Sequence, residues 1–168
     1  MSAESISRIE GTDLAIRHLR STAFTDLYRA VMKLVEDLAQ YLDVTGRKQS
    51  KSFSPAVARD YASLTRQLTT GAMRVASALL ILRSVRDGTM TFTSAMSDIR
   101  QKQMTESPEG FTGSLDGLPL ELLELATRCD SMRLDVVRLV DHLCSEGRAG
   151  ANPVHAALGL INSAFGNG

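Results

Sequence analysis

Three histidines, two cysteines and one pair of glutamates are the side chains in this sequence best suited to chemistry. His18, His142 and His155 lie in three separate segments, and none stands at metal-ligand spacing from another His or a Cys. They read as solvent-facing imidazoles. A phosphotransfer bundle needs a helical His with a Lys in the next turn to steady the phosphoryl charge. His18-Leu19-Arg20-Ser21 and His142-Leu143-Cys144-Ser145 both lack it. Cys129 and Cys144 make no CxxC motif and too few thiols for a disulfide framework. Cys129 falls on an apolar helical stripe, where a thiol is a small buried side chain rather than a nucleophile. Glu121 and Glu124 stand at a helix start, where carboxylates suit the positive end of the macrodipole, so no metal is needed to explain them. No GxSxG, Walker loop or GxGxxG occurs. The chain reads as a non-enzyme with no catalytic, cofactor or metal site, and its work as binding other proteins.

The elements that would carry a binding surface are helices. The 168 residues suit one domain, and a 43% apolar fraction is ordinary for a globular chain. With three Tyr, five Phe and no Trp, the core must be built from Leu, Val, Ala and Met, which favours helix packing over a sandwich. Residues 1–20 read as a flexible N-terminal arm with a helical turn near Leu14 to Leu19, 21–147 as the bundle, and 148–168 as a mobile tail. Phe24, Leu27, Tyr28, Val31, Leu34, Val35, Leu38 and Leu42 recur at steps of three and four, with Ser21 or Thr22 as cap. Gly46 lies past that helix, and the polar run Arg47 to Ser52 reads as a loop. Ser54-Pro55 starts a second helix that runs unbroken to Arg86, with Gly88 as its stop. Gly71 weakens it by about 1 kcal/mol against Ala, which a chain passing close by would explain. A short helix follows Thr91 over Phe92, Ala95, Met96 and Ile99, then a loop from Thr105 to Gly117. Pro119 opens the last long helix, along Leu122, Leu125, Cys129, Met132, Val136, Leu139 and Leu143 to Gly147. The fold class is all-α, an antiparallel three-helix bundle with long helices in up-down-up order.

Charge and hydropathy narrow the partners. Nineteen basic residues balance nineteen acidic ones, so no global excess points to nucleic acid or an anionic membrane. The longest apolar run, Val75 to Leu82 broken by Ser77, is far short of the ~20 residues that span a bilayer. The first residues carry Glu4, Arg8 and Glu10 and form no signal peptide, which places the protein in the cytoplasm. Between Arg47 and Arg86 the only acid among the basic residues is Asp60. A basic middle helix between two acidic ones would complement its own neighbours. Apolar surface is left over. Met73, Leu80 and Ile81 lie away from the seam, beside a line of small residues that includes Ala62, Thr69 and Ala76. Such a face needs a cover: the Phe92–Ile99 segment, a second copy in a homodimer, or a partner protein. In the tail, Val154, Leu158, Ile161 and Phe165 would share one face of a short helix and are candidate interaction residues.

The ordered set Leu27-Tyr28, Leu34-Val35-Glu36, Tyr41-Leu42-Asp43, Gly46-Arg47 and Ser50 resembles the RcdA family, regulators of CtrA degradation in alphaproteobacteria. Tyr61-Ala62, Leu68-Thr69-Thr70, Met73, Ala76-Ser77, Leu79-Leu80, Arg83, Val85, Gly88 and Met90 extend the resemblance, which covers about residues 24 to 143. The chain departs from that pattern at Ala78, where the family often carries Trp, and beyond Gly147. The resemblance implies a dimeric three-helix bundle that acts as a non-enzymatic adaptor. Its partners would be ClpX in the ClpXP protease, a CpdR-like response regulator, CtrA-like substrates and further adaptors. The competing reading is a homodimeric helical scaffold in bacterial signalling with no protease partner.

Overall fold

The structure, a computed structural model, describes residues 13–149 apart from 109, with side chains described as far as Ser145. A short helix over 13–19 (α1) leads into α2, Thr22–Gln40. The chain then passes directly into a π-helix, Tyr41–Gly46, an α-helical turn, Arg47–Gln49, and a 3-10 turn, Ser50–Ser52. The remaining elements are α3, Pro55–Arg86, α4, Phe92–Gln101, and α5, Leu120–Ala149. The expected all-helical class is found, with no strand among the described residues.

Local chemistry sets the helix ends. The Ser21 hydroxyl accepts the Phe24 N–H at 3.3 Å, Ser54 accepts from Val57 at 3.4 Å, and Thr91 accepts from Ser94 at 3.2 Å. Each satisfies one of the N–H groups that a helix start leaves unpaired. Pro55 fits the first turn of α3 because its missing N–H would have no partner there. Gly88 closes α3 at φ 75°, a conformation that costs glycine little. α5 continues past the expected stop at Gly147 to Ala149.

Two apolar clusters fix the topology. One joins Phe24 and Val31 of α2, Val75 to Val85 of α3, Ala95 to Ile99 of α4, and Val136 to Leu143 of α5. The other joins Leu34 and Leu38 of α2, Tyr41 of the π-helix, Leu64 and Leu68 of α3, and Leu122 to Cys129 of α5. α2 therefore runs antiparallel to both α3 and α5, while α3 and α5 run the same way. The order is up-down-down rather than up-down-up. The physical reason lies in the connection. α3 has 32 residues and spans about 48 Å. α4 and the loop after it carry the chain back along that length before α5 begins. The returning loop passes Gly71, where a Cβ would lie 3.3 Å from Pro108 Cγ and 3.6 Å from Cys129 Sγ. The close passage expected at Gly71 is thus supplied by this loop and α5.

Three further expectations are corrected. The helical turn near Leu14 to Leu19 is a helix that packs on the bundle, because Ala15 and Leu19, both 0% exposed, join the first cluster. That stretch of the arm belongs to the packed structure. The run from Arg47 to Ser52 is not a loop but two helical turns. Gly46 does not stop the helix, since it is buried at an ordinary helical φ of −61°. It is small because a Cβ there would collide with Tyr61 Oη. α3 also contains an 18-residue window of mean hydropathy 1.3, apolar enough by composition to cross a membrane, yet 50% of that window is buried inside the bundle.

Candidate functional site

The leftover apolar face lies on α3, and the structure divides the six residues expected there. Met73 is 56% exposed and Leu80 47% exposed, and Ala62 is exposed about three turns before Met73. Thr69 is half-buried, and its hydroxyl donates to the Thr65 carbonyl at 2.8 Å. Ile81 is half-buried against the first cluster, and Ala76 is buried within it. The fold thus covers Ala76 and part of Ile81, while Met73 and Leu80 stay about half exposed. A groove of about 380 Å³ runs next to Met73, between Thr69, Thr70, Arg74 and Ser77 of α3 and Lys102 and Met104 beyond α4.

The basic residues of α3 do not complement its neighbours in the way expected. Arg59, Arg66 and Arg74 form no ion pair among the described residues. At roughly 100° per residue they share one outward sector with Met73 and Leu80, turned away from α2 and α5. The pair that does link two long helices is Arg128 of α5 with Asp37 of α2, at 3.1 Å. Arg83 pairs with Asp87 at 3.5 Å, donates to Tyr28 Oη at 3.0 Å and lies over that ring at 5.3 Å. A second groove, of about 390 Å³, separates the π-helix from the start of α5 and is lined by Asp37, Gln40, Glu121, Glu124 and Arg128. π-helical turns often sit at functional positions, and this one leaves Val44 exposed at the rim.

The reactive side chains are arranged as follows. The His18 and His142 rings meet edge to face with centroids 4.8 Å apart, His142 exposed and His18 half-buried. Spacing within one helix could not show this, because the rings come from α1 and α5. His155 and the tail residues Val154, Leu158, Ile161 and Phe165 lie outside the described residues. Cys129 is buried, and burial chiefly, with the Asp130 charge second, pushes its thiol up to about 11. A thiol held protonated in this way is a poor nucleophile at neutral pH. Cys144 is half-buried with its S–H 3.6 Å from Met96 Sδ. Among the described residues no three His, Cys, Asp or Glu side chains are grouped to hold a metal ion.

The molecule is an all-helical bundle with one apolar and basic face of α3 exposed. The chain is a member of the DUF1465 family, described as proteins of unknown function, whose profile matches residues 15–165. That match begins inside α1 and includes the tail, so it extends past both ends of the resemblance read from the sequence. The crystal structure of RcdA from Caulobacter crescentus CB15 is similar, with a TM-score of 0.62 and 34% identity over 74% of this chain and 92% of that one. The chain is thus RcdA-like in sequence and in fold. A search of curated proteins finds no match.

Proposed function

We propose that this protein is a non-enzymatic adaptor in regulated proteolysis. It would act in the cytoplasm as a homodimer and deliver cell-cycle regulators such as CtrA to ClpXP, with a CpdR-like response regulator priming the protease. The observation that carries this reading is the 34% identity to RcdA over 92% of that chain. The α3 face supports it, since an adaptor needs surface left free by its own fold. The mechanism is tethering: a substrate held beside the protease meets it at high effective concentration, with no chemistry supplied by the adaptor. The tail residues Val154, Leu158, Ile161 and Phe165 form a second candidate contact, and the 15–165 extent of the family match favours giving the tail a role.

The test is a purified reaction of ClpXP, a CpdR-like regulator and CtrA, with and without this protein. Faster loss of CtrA, with unchanged turnover of an unrelated ClpXP substrate, is expected. No acceleration of any candidate substrate, together with native capture that never recovers ClpX or a response regulator, would leave the signalling-scaffold reading in its place. A chain ending at Gly147 tests the tail in the same reaction: full acceleration without it sinks the tail contact.

A further inference from the structure

We propose that the outward face of α3 receives an acidic amphipathic segment of a partner protein, with carboxylates meeting Arg59, Arg66 and Arg74 and large apolar side chains covering Met73 and Leu80. This deepens the adaptor reading and rests on it, because it takes the α3 face to be a partner surface.

Charge gives the first argument. The five residues fall within a sector of about 120° on α3. No acid shares that sector. The lone acid of the helix, Asp60, faces another way, and its carboxylate accepts the Ser114 N–H at 3.3 Å. Across the groove, Lys102 is held by Asp98 at 3.4 Å, so that acid is already engaged. Three arginines on one face with no ion pair among the described residues ask for carboxylates, and Arg suits them because its planar fork matches their geometry.

Shape gives the second. The groove of about 380 Å³ has Met73 at its edge and Met104, 8% exposed, on its wall. Methionine adapts to varied apolar partners, which suits a surface that accepts more than one sequence. A helix laid in such a groove would present apolar residues at steps of three and four, with its acids on the flanks.

The same features argue against other occupants. Phosphate would satisfy the arginines but leave Met73 and Leu80 uncovered. Tyr61, the aromatic residue of α3, is half-buried against Phe53 at 5.1 Å and offers bases no stacking platform. A second copy docked face to face would bring both arginine sets together with no carboxylate in either sector.

The experiment uses the full chain and a fluorescein-labelled synthetic peptide with Leu at helical spacing and Glu between, read by anisotropy at moderate salt. Controls are the same peptide with Lys for Glu, a DNA duplex, and phosphatidylglycerol vesicles. The acidic peptide should bind at least tenfold more tightly than each control. R66E/R74E, both at positions outside the core, should weaken it at least tenfold and bring the Lys peptide to comparable affinity. That charge swap cannot come from misfolding. M73A/L80A should weaken the acidic peptide several-fold with the salt dependence kept. Unchanged binding by R66E/R74E overturns the proposal. So does tighter binding of DNA or vesicles, lost in that variant, which makes the face a phosphate surface. A dimer of the free protein that M73A/L80A dissociates also overturns it, since the face is then a self-contact. No protease is present, so peptide binding that survives alongside a failed CtrA reaction sinks the adaptor reading alone.

Discussion

The Asp60 carboxylate on α3 accepts the backbone N–H of Ser114 at 3.3 Å, joining positions 54 residues apart. The contact pins the returning loop to the start of α3 just before α5 begins, and so helps hold α3 and α5 parallel. Gly113 makes room for it, since a Cβ there would collide with Asp60 Oδ1 and lie 2.7 Å from the Phe111 ring. Asp60→Ala should cost about 1 kcal/mol, the usual net worth of a hydrogen bond, and lower Tm by about 2–4 °C. Gly113→Ala should cost a similar amount by pushing the carboxylate off Ser114. Because both changes break the same contact, the double variant should lose clearly less than the sum. Additive losses in thermal unfolding would show that the loop is held by something else.

Gly46 and Tyr61 give a second test. Helix propensity alone favours Ala over Gly by about 1 kcal/mol. Here the hydroxyl of Tyr61 occupies the place of the missing methyl, and Tyr41 Cε1 lies 3.3 Å from it. Gly46→Ala should therefore destabilise, by about 1–3 kcal/mol as for other overpacked sites. In a Tyr61→Phe background the penalty should shrink, because the colliding atom is gone. Urea unfolding of the four proteins measures this, and a stabilised Gly46→Ala chain would refute the packing account.

How far the sequence reaches can be judged from such positions. The caps at Ser21, Ser54 and Thr91 and the stripes of α2, α3 and α5 were legible, because N-terminal capping and 3.6-residue periodicity are local rules. The direction of α5 was not, since an apolar stripe reads the same up or down. Gly46 resembles a stop signal because glycine usually punctuates. Its actual reason, a side chain fifteen positions later, is a tertiary contact. Met73 and Leu80 were legible as surplus apolar surface, but Ala76 was not separable from them, because only the packing of the other helices shows that its side of α3 is buried and theirs exposed. The three arginines could be counted in the sequence, yet only the folded chain shows that they form no ion pair among the described residues.

Acid should weaken the link between α2 and α5. Asp37 takes Lys33 at 3.0 Å and Arg128 at 3.1 Å. The Lys33 hydrogen bond above all, then Arg128, holds its carboxyl below the ordinary 3.8 against the opposing effect of burial. A carboxylate with a lowered folded value stabilises fully above its ordinary value, and that contribution fades as pH falls through the folded one. This group should therefore add no slope to Tm between pH 5 and 8 and a decline below about pH 4. The Asp37 side chain is partly buried but its partners are about half exposed, so solvent screening keeps the contribution small. Asp37→Asn should remove its share of the acid decline. A decline identical in Asp37→Asn and the parent chain would assign the effect to other carboxylates.

The packing of α1 makes the last prediction. Leu19 is 0% exposed and shares a cluster with Phe24, Val85 and Leu143, while Leu14, on the same short helix, is 41% exposed. If α1 docks as described, Leu19→Ala removes buried methyl groups from a filled core. Such changes cost about 2–5 kcal/mol, from lost transfer energy and the cavity left behind. Leu14→Ala changes an exposed position and should stay within about 0.5 kcal/mol. A free arm makes the opposite forecast, with both substitutions nearly neutral. A chain begun at Ser21 should resemble Leu19→Ala in stability, because it also loses Ala15 and bares the cluster where α2 starts and α3 and α5 end. Denaturant midpoints of the three variants decide it. A Leu19→Ala chain as stable as Leu14→Ala would return residues 13–19 to the arm.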